Sequence, residues 1–184
     1  MQSITVLKNT IQRAGQEKFI TFAKTSSGTM NNSFEIATPI GSLSITLEGD
    51  YVTGIARSGT GRHCEPTGVF ACAVAKELEE YFAGKRKGFT FSIKMHGTPF
   101  CQKVWQRIQH IPYGSTATYG DIAKDIGSPG AARAVGAACN RNPLLLVVPC
   151  HRVVGAGGNL TGYVAGLKNK EFLLKSEKFF CGAE

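Results

Sequence analysis

The sequence has 184 residues, of which 42% are hydrophobic, and its 21 Lys and Arg against 13 Asp and Glu give a formal net charge of +8. This composition excludes a disordered chain, and the longest apolar run, 144–148, is far too short to span a bilayer. We therefore expect a protein without membrane association. We expect it to be intracellular, in the cytoplasm or, in a eukaryote, in the nucleus. The positive net charge favours an anionic partner.

The first predicted elements are two strands. Residues 1–32 show no motif that carries chemistry, and we interpret them as an N-terminal extension. From Phe34 apolar and polar residues alternate with the period of a half-buried strand. A Gly-Asp pair at 49–50 supplies a turn, so a second strand at 51–56 is expected to pair back. The side chains expected to share one face of the first strand are Leu43, Ile45 and Leu47.

A helix is predicted next, over 69–82, with Gly84 placed to end it. A basic turn at 85–87 follows, which either contacts phosphate or, more simply, is solvated. A short strand is then predicted at 89–93. Together these elements indicate a small α/β support domain at 33–95. The residues expected on the apolar face of the helix are Val69, Ala73, Leu78, Tyr81 and Phe82.

Residues 96–184 are predicted to form a second, mostly helical domain. Its first helix has Thr98 as a cap and Pro99 in the first turn, and we expect Trp105 in its buried stripe. The Pro-Tyr-Gly turn signal at 112–114 ends this helix.

Two shorter predicted helices then flank a tight turn. Thr118 can cap a helix at 119–126, and Ser128 can cap a second helix at 129–140. This is the outline of a helix-turn-helix unit, whose second helix enters a DNA groove. That helix carries small side chains and one charge, Arg133. From the segment alone, tight helix packing with a solvated arginine is an equally good interpretation.

A candidate nucleophile follows. The apolar run 144–148 is predicted to be a buried, strand-like segment that delivers Cys150 with His151 beside it. A free thiol has a pKa of about 8.5 and reacts as the thiolate, so His151, or a water that it holds, could remove the proton. For this pair alone, a buried structural thiol next to an ordinary histidine is the simpler interpretation.

The six cysteines lack the spacing of a metal site. No CxxC pair occurs, which argues against a zinc ribbon or a disulfide scaffold. His63 beside Cys64 could begin a metal site, but no second ligand pair follows. We therefore expect mostly reduced thiols and no bound metal.

The hexapeptide 149–154, Pro-Cys-His-Arg-Val-Val, preceded by Asn-Pro at 142–143, resembles the signature of the O6-alkylguanine-DNA alkyltransferases. The similarity extends over about 98–177, and 38–43 is similar to the start of the family's variable N-terminal domain. The resemblance implies an α/β (α+β) fold: a small RNase H-like sheet-plus-helix domain, then a mostly helical domain with a winged helix-turn-helix.

The resemblance also implies a role for each matching residue. Cys150 would attack the carbon on guanine O6, His151 would act on Cys150 through a water, and Glu177 would orient His151. Tyr119 would donate a hydrogen bond to a ring nitrogen of the leaving guanine. Asn142 would hydrogen-bond near the thiol and tie together the two segments around it.

The implied partner is double-stranded DNA with an O6-alkylguanine, bound through its minor groove with little sequence preference. Arg133 would fill the space that the flipped nucleotide leaves. The other residues implied at this interface are Ala131, Ala132, Ala134 and Gly136. The residues implied in the substrate pocket are Tyr163, Val164, Cys139, Leu145 and Val153.

The implied activity is DNA repair by irreversible alkyl transfer to Cys150 from O6 of guanine and, less efficiently, O4 of thymine. The protein would act once per molecule, as a monomer without a cofactor. Three alternatives stay open: an alkyltransferase-like protein that binds lesions without repairing them, a helix-turn-helix regulator with a sequence preference, and a cysteine hydrolase, for which no oxyanion-hole loop is evident.

Overall fold

The computed structural model describes residues 33–59 and 65–182, so the predicted extension 1–32 and the His63-Cys64 pair lie outside the described residues. The predicted order, a small sheet with a helix and then a mostly helical part, is confirmed. In chain order the elements are β1 (Ser33–Ile36), β2 (Leu43–Glu48), β3 (Tyr51–Arg57), α1 (Val69–Phe82), α2 (Pro99–Gln109), β4 (Ala117–Thr118), α3 (Tyr119–Asp125), α4 (Ala132–Asn140), β5 (Val153–Val154) and α5 (Leu167–Cys181), with short 3-10 turns at Cys150–Arg152 and Ala156–Gly158.

Strands β1, β2 and β3 form an antiparallel sheet in chain order. Ile45 lies between Phe34 and Ile55 in the register, and all three side chains are buried. The predicted alternation holds for Leu43 and Ile45. It fails for Leu47, which is only half-buried, because the pairing with β3 shifts register just before it.

Helix α1 begins and ends where the sequence predicts, and Gly84 beyond it has a positive φ of 72°. Its predicted apolar face is partly wrong, because Val69 is 91% exposed and Ala73 is exposed as well. The residues that face the core lie on an adjacent face of the helix and repeat at i, i+3, i+4 and i+7. The buried residues of this face are Ala71, Val74, Ala75, Leu78 and Tyr81.

The predicted strand at 89–93 is wrong. Within it only Ile93 forms a bridge, to Val52. The Thr90 backbone N–H donates to the Glu77 carboxylate at 2.7 Å, so helix α1 takes the hydrogen bond that a strand partner would need.

The strand-like segment predicted at 144–148 is buried over most of its length, but it is not a strand. Only Leu144 pairs, through a bridge to Ile55 at the edge of the sheet. The chain then turns: Leu146 adopts a φ of 72°, and the Val148 N–H donates to the Leu144 carbonyl at 2.9 Å.

The caps predicted for two of the C-terminal helices are present. Thr98 accepts a hydrogen bond from the Cys101 N–H and begins α2. Thr118 and Asp121 form a reciprocal capping box at the start of α3. Trp105 is buried as predicted, and its indole N–H donates to the Ala138 carbonyl at 2.9 Å, which joins α2 to α4.

The predicted start of the second helix of the helix-turn-helix unit is wrong. Helix α4 begins at Ala132, and no side chain caps it. Ser128 instead lies in a turn: its N–H donates to the Ala123 carbonyl, and its own carbonyl accepts from the Ala131 N–H. Gly130, at a φ of 94°, completes this turn before the helix can start.

Strands β4 and β5 form a second sheet of two parallel strands. β4 leads directly into α3, and β5 directly follows the Cys150–Arg152 turn. Among the described residues, no helix combines the length and the apolar character that crossing a bilayer requires. Within the same residues, no three His, Cys, Asp or Glu side chains are placed to share a metal ion.

Candidate active site

Cys150 begins the 3-10 turn between the buried segment 144–148 and β5, and it is only 3% exposed. The Asn142 side-chain amide donates to the Cys150 Sγ at 3.1 Å and to the Val148 carbonyl at 2.8 Å. The Asn142 Oδ1 accepts from the Leu144 N–H at 2.9 Å. Asn142 therefore ties the chain after α4 to the turn that presents the sulfur.

The Cys150 thiol is protonated at neutral pH. Burial raises its pKa to about 11, although the Asn142 amide and the Lys170 ammonium both act to lower it. Because the reactive form of cysteine is the thiolate, this site needs a base that takes the proton.

His151 has the properties of such a base. It is fully buried, and burial lowers its pKa despite the opposing effect of Glu177, so the ring is neutral at pH 7. Its Nε2 lies 2.9 Å from the Glu177 Oε1. Because a carboxylate can only accept, we assign the proton to Nε2, which leaves Nδ1 as an acceptor. Within the described part of the chain, Nδ1 has no hydrogen-bond partner.

Glu177 is the centre of a buried hydrogen-bond network. Arg152 donates from Nη2 to Oε1 at 2.8 Å and from Nε to Oε2 at 2.9 Å. The Tyr81 hydroxyl donates to Oε1 at 2.5 Å, and the Gly114 N–H donates to Oε2 at 3.0 Å. Burial alone would raise the pKa of Glu177, but the hydrogen bonds from His151 and Arg152 outweigh it and hold the pKa far below its usual range.

Lys170 fastens the loop 155–166 to the strand that follows Cys150. It is fully buried, and its Nζ donates to the carbonyls of Val153 at 2.6 Å, Thr161 at 2.7 Å and Gly162 at 3.2 Å. The three N–H groups of the ammonium are thus matched by three acceptors. The loop 155–166 is thereby fastened to β5, three residues from Cys150.

Sequence reasoning missed Arg152, Lys170 and Tyr81. Arg152 belongs to the hexapeptide 149–154, so the motif itself could have indicated it. Lys170 lies seven residues before Glu177, so helical spacing places both on one face of α5, and both are buried there. Tyr81 gives no such signal, because 96 residues separate it from Glu177.

Two of the predicted pocket residues lie close to the sulfur. Burial raises the pKa of Cys139 to about 12 and the neighbouring Cys150 thiol adds to this shift. The Tyr163 ring meets His151 edge-on at 6.3 Å, and its buried hydroxyl has no partner among residues 33–59 and 65–182. The predicted pocket residue Val164, in contrast, is 52% exposed to solvent. The remaining predicted pocket residues, Leu145 and Val153, are buried.

Tyr119 is the first residue of α3 and is half-buried. Burial raises its pKa, so the hydroxyl keeps its proton and can donate it in a hydrogen bond. The Lys170 Nζ lies 5.9 Å from the centre of its ring. A Cβ added at Gly136 would lie 3.8 Å from the same ring, so α4 packs closely beside Tyr119.

The predicted DNA-contacting residues lie at the start of α4 or just before it. Arg133 and Ala134 are exposed. The half-buried members of the set are Ala131, Ala132 and Gly136. The start of the helix therefore offers a narrow surface of small side chains with one projecting positive charge.

The chain is similar to known proteins over most of its length. The family model for the DNA-binding domain of 6-O-methylguanine DNA methyltransferase matches residues 99–179. A methylated-DNA--protein-cysteine methyltransferase of Methanosarcina acetivorans is 57% identical over 103 residues, which are 56% of this chain and 66% of that protein. The protein of the same name from Mycobacterium leprae is 45% identical over 148 residues, or 76% of this chain and 88% of that protein.

A solved structure extends the similarity to the fold. The crystal structure of Mycobacterium tuberculosis OGT in complex with DNA is similar with a TM-score of 0.72 and 43% identity, over 79% of this chain and 92% of that one. The chain therefore belongs to the methylated-DNA--protein-cysteine methyltransferases, a family of DNA-binding enzymes.

Proposed function

We propose that this protein repairs DNA by moving an alkyl group from O6 of guanine, and less efficiently from O4 of thymine, to the Cys150 sulfur. The observation that carries the proposal is the buried Cys150 thiol, hydrogen-bonded by Asn142 and next to a neutral His151 that is paired with Glu177. The family membership supports the reaction class.

The first step is loss of the thiol proton. With a pKa of about 11, Cys150 does not ionise unaided at neutral pH. His151 takes the proton at Nδ1, through a bridging water, and the Glu177 carboxylate stabilises the imidazolium through Nε2–H. Because the pKa of Glu177 is held low, the carboxylate stays charged while His151 is protonated.

In the transfer step the bond from Sγ to the alkyl carbon forms as the bond from that carbon to O6 breaks. The bonding electrons stay on the guanine, where the Tyr119 hydroxyl stabilises them by donating to a ring nitrogen. The proton held by His151 returns to the departing guanine, so charges balance. The product is a thioether, which has no proton to lose and no good leaving group, so each molecule reacts once.

The DNA complex needs an extruded nucleotide, because a stacked and paired guanine hides its O6 substituent. Extrusion costs a few kcal/mol. Helix α4 enters the minor groove, where its small side chains allow a close approach, and Arg133 fills the vacated space. Binding then depends on phosphate charge and on the lesion, with little sequence preference and with one protein molecule per site.

The test of transfer is a mass measurement. Protein is incubated with an equimolar duplex that contains O6-methylguanine, and the peptide that contains Cys150 is weighed. We expect a gain of one methyl group in the wild type and in Cys101→Ala, which removes a different buried thiol, and no gain in Cys150→Ala.

Other outcomes would select another function. Tight lesion binding with the methyl group left on the DNA would indicate a protein that recognises lesions without repairing them. Preference for one undamaged sequence would indicate a regulator, and repeated turnover of an ester or peptide would indicate a hydrolase.

The extrusion step is tested with Arg133→Ala. We expect slower methyl transfer from duplex DNA but an unchanged rate with the free base O6-methylguanine, which needs no extrusion. Lys76→Ala removes the same charge from an exposed position on α1 and serves as the control. Equal slowing with both substrates would contradict a role of Arg133 in extrusion.

A further inference from the structure

Tyr81 joins the N-terminal part of the molecule to the Glu177 network. It lies on α1 and is 4% exposed. Its hydroxyl donates to the Glu177 Oε1, at 2.5 Å. The same oxygen accepts from the His151 Nε2, at 2.9 Å. It also accepts from the Arg152 Nη2, at 2.8 Å, so Tyr81, His151 and Arg152 share one acceptor atom.

The position of this hydroxyl is fixed by packing. The Tyr81 ring meets Phe82 edge-on at 5.5 Å and Tyr113 edge-on at 6.0 Å, and it lies 5.2 Å from Phe89 in a tilted arrangement. Burial raises the pKa of Tyr81 well above 10, so the hydroxyl keeps its proton and donates it to the Glu177 carboxylate.

Sharing the acceptor has a consequence for His151. Each further strong hydrogen bond that a carboxylate oxygen accepts leaves less negative charge for its other donors. The Arg152 and Lys170 cations also act to lower the pKa of His151, and neither changes when the Tyr81 hydroxyl is removed. Without the Tyr81 hydroxyl, Oε1 would stabilise the imidazolium form of His151 more strongly. The resting His151 would then carry a proton at a higher pH and could not accept one from Cys150.

We propose that Tyr81 is a positioning residue for alkyl transfer, whose hydroxyl shares the Glu177 Oε1 with His151, limits the strength of the His151–Glu177 hydrogen bond and so keeps His151 in its neutral, proton-accepting form. This inference rests on the proposed function, in which His151 is the base. The competing role is a core tyrosine whose hydroxyl simply finds an acceptor.

The test is Tyr81→Phe, with Tyr113→Phe as the matched control. Tyr113 loses the same hydroxyl in the same ring cluster, and among the described residues the hydrogen bonds to the Glu177 carboxylate come from other groups. We expect Tyr81→Phe to move the acidic midpoint of the transfer rate up by about half a pH unit, which slows transfer about threefold well below the midpoint. We expect Tyr113→Phe to keep the wild-type midpoint.

A second measurement reads His151 directly. In nuclear magnetic resonance spectra of histidine-labelled protein, we expect Tyr81→Phe to move the His151 Nε2–H proton downfield, because its hydrogen bond to Oε1 becomes stronger, and to raise the pKa of the ring. An unchanged resonance together with an unchanged rate midpoint would overturn the proposal, because a purely structural hydroxyl alters neither.

Should Tyr81→Phe not fold, two side chains that fill the hydroxyl's space replace it. A 4-aminophenylalanine at position 81 retains a donor, whereas a 4-methylphenylalanine does not. We expect only the methyl variant to shift the His151 resonance, and equal behaviour of the two would overturn the proposal. The resonance does not require alkyl transfer, so a failure of the proposed function is seen separately, as a wild-type Cys150 that gains no methyl group.

Discussion

At Cys150, burial and reactivity act in opposite directions. A sulfur that is 3% exposed has a pKa of about 11, yet transfer of an alkyl group needs the thiolate. The Asn142 amide donates to the sulfur, and the Lys170 ammonium lies near enough to favour its charge. Neither is sufficient to ionise the thiol at neutral pH, so the resting sulfur is a poor nucleophile towards general electrophiles. Reaction therefore depends on the His151 base.

Replacement of Asn142 by alanine tests this balance. The variant loses the donor to the thiolate, so we expect the Cys150 pKa to rise further and the alkaline rise of the transfer rate to move to higher pH. At neutral pH the rate should fall about 10- to 100-fold, since one hydrogen bond to a charged group contributes about 1.5–3 kcal/mol.

The measurement is transfer from the free base O6-methylguanine over a range of pH. Asn140→Ala is the matched control, because Asn140 is the exposed last residue of α4 and lies two positions away. A wild-type rate and midpoint in Asn142→Ala would contradict the assignment. Thermal unfolding of both variants separates this effect from a loss of fold, because Asn142 also bonds to two backbone groups.

At the scale of elements, the sequence predicts structure well where periodicity and an end signal coincide. Helix α1 has both and is found at its predicted bounds, and α3 begins at the predicted cap, Thr118. The segment 89–93 alternates apolar and polar residues and 144–148 is apolar throughout, but neither ends in a cap like those of the helices. An apolar run indicates burial but not the hydrogen-bond partner, and here the partners are a helix carboxylate and the chain itself.

The site residues also differ in how far local sequence patterns predict them. Cys150, His151 and Asn142 lie within ten residues, so one motif predicts them together. Lys170 could be inferred from its helical spacing to Glu177. The contact of Tyr81 depends on how α1 packs against the rest of the molecule, which no local pattern carries.

Thr118 and Ser128 are both predicted as helix caps, and their replacement by alanine is expected to affect stability differently. Thr118→Ala removes a side chain that accepts from the Asp121 N–H, so we expect a loss of about 1 kcal/mol in the free energy of unfolding. Ser128→Ala should change it by less than about 0.5 kcal/mol, because the hydrogen bonds of Ser128 in the turn are made by its backbone. Urea unfolding of both variants measures the difference, and equal losses would mean that Ser128 caps α4 after all.

At the scale of the whole molecule, the N-terminal sheet supports the reactive segment directly. The Ile55 N–H donates to the Pro143 carbonyl at 2.8 Å, and the Leu145 N–H donates back to Ile55 at 3.0 Å. Asn169 links the Ile40 carbonyl to the Ala165 carbonyl through its side-chain amide. The sulfur is thus enclosed by backbone that is anchored on both sides, and an added group cannot be accommodated by movement of a free loop end.

Methylation of Cys150 should therefore destabilise the fold. One extra methyl group in a packed site costs about 1–3 kcal/mol, and a chain of this length loses about 2–4 °C of melting temperature for each kcal/mol. The comparison is thermal unfolding before and after stoichiometric reaction with a methylated duplex, after removal of the DNA. Cys150→Ala treated with the same duplex controls for DNA carried over. Coincident melting curves of the reacted and unreacted wild type would mean that the pocket already contains room for the methyl group, and would contradict this prediction.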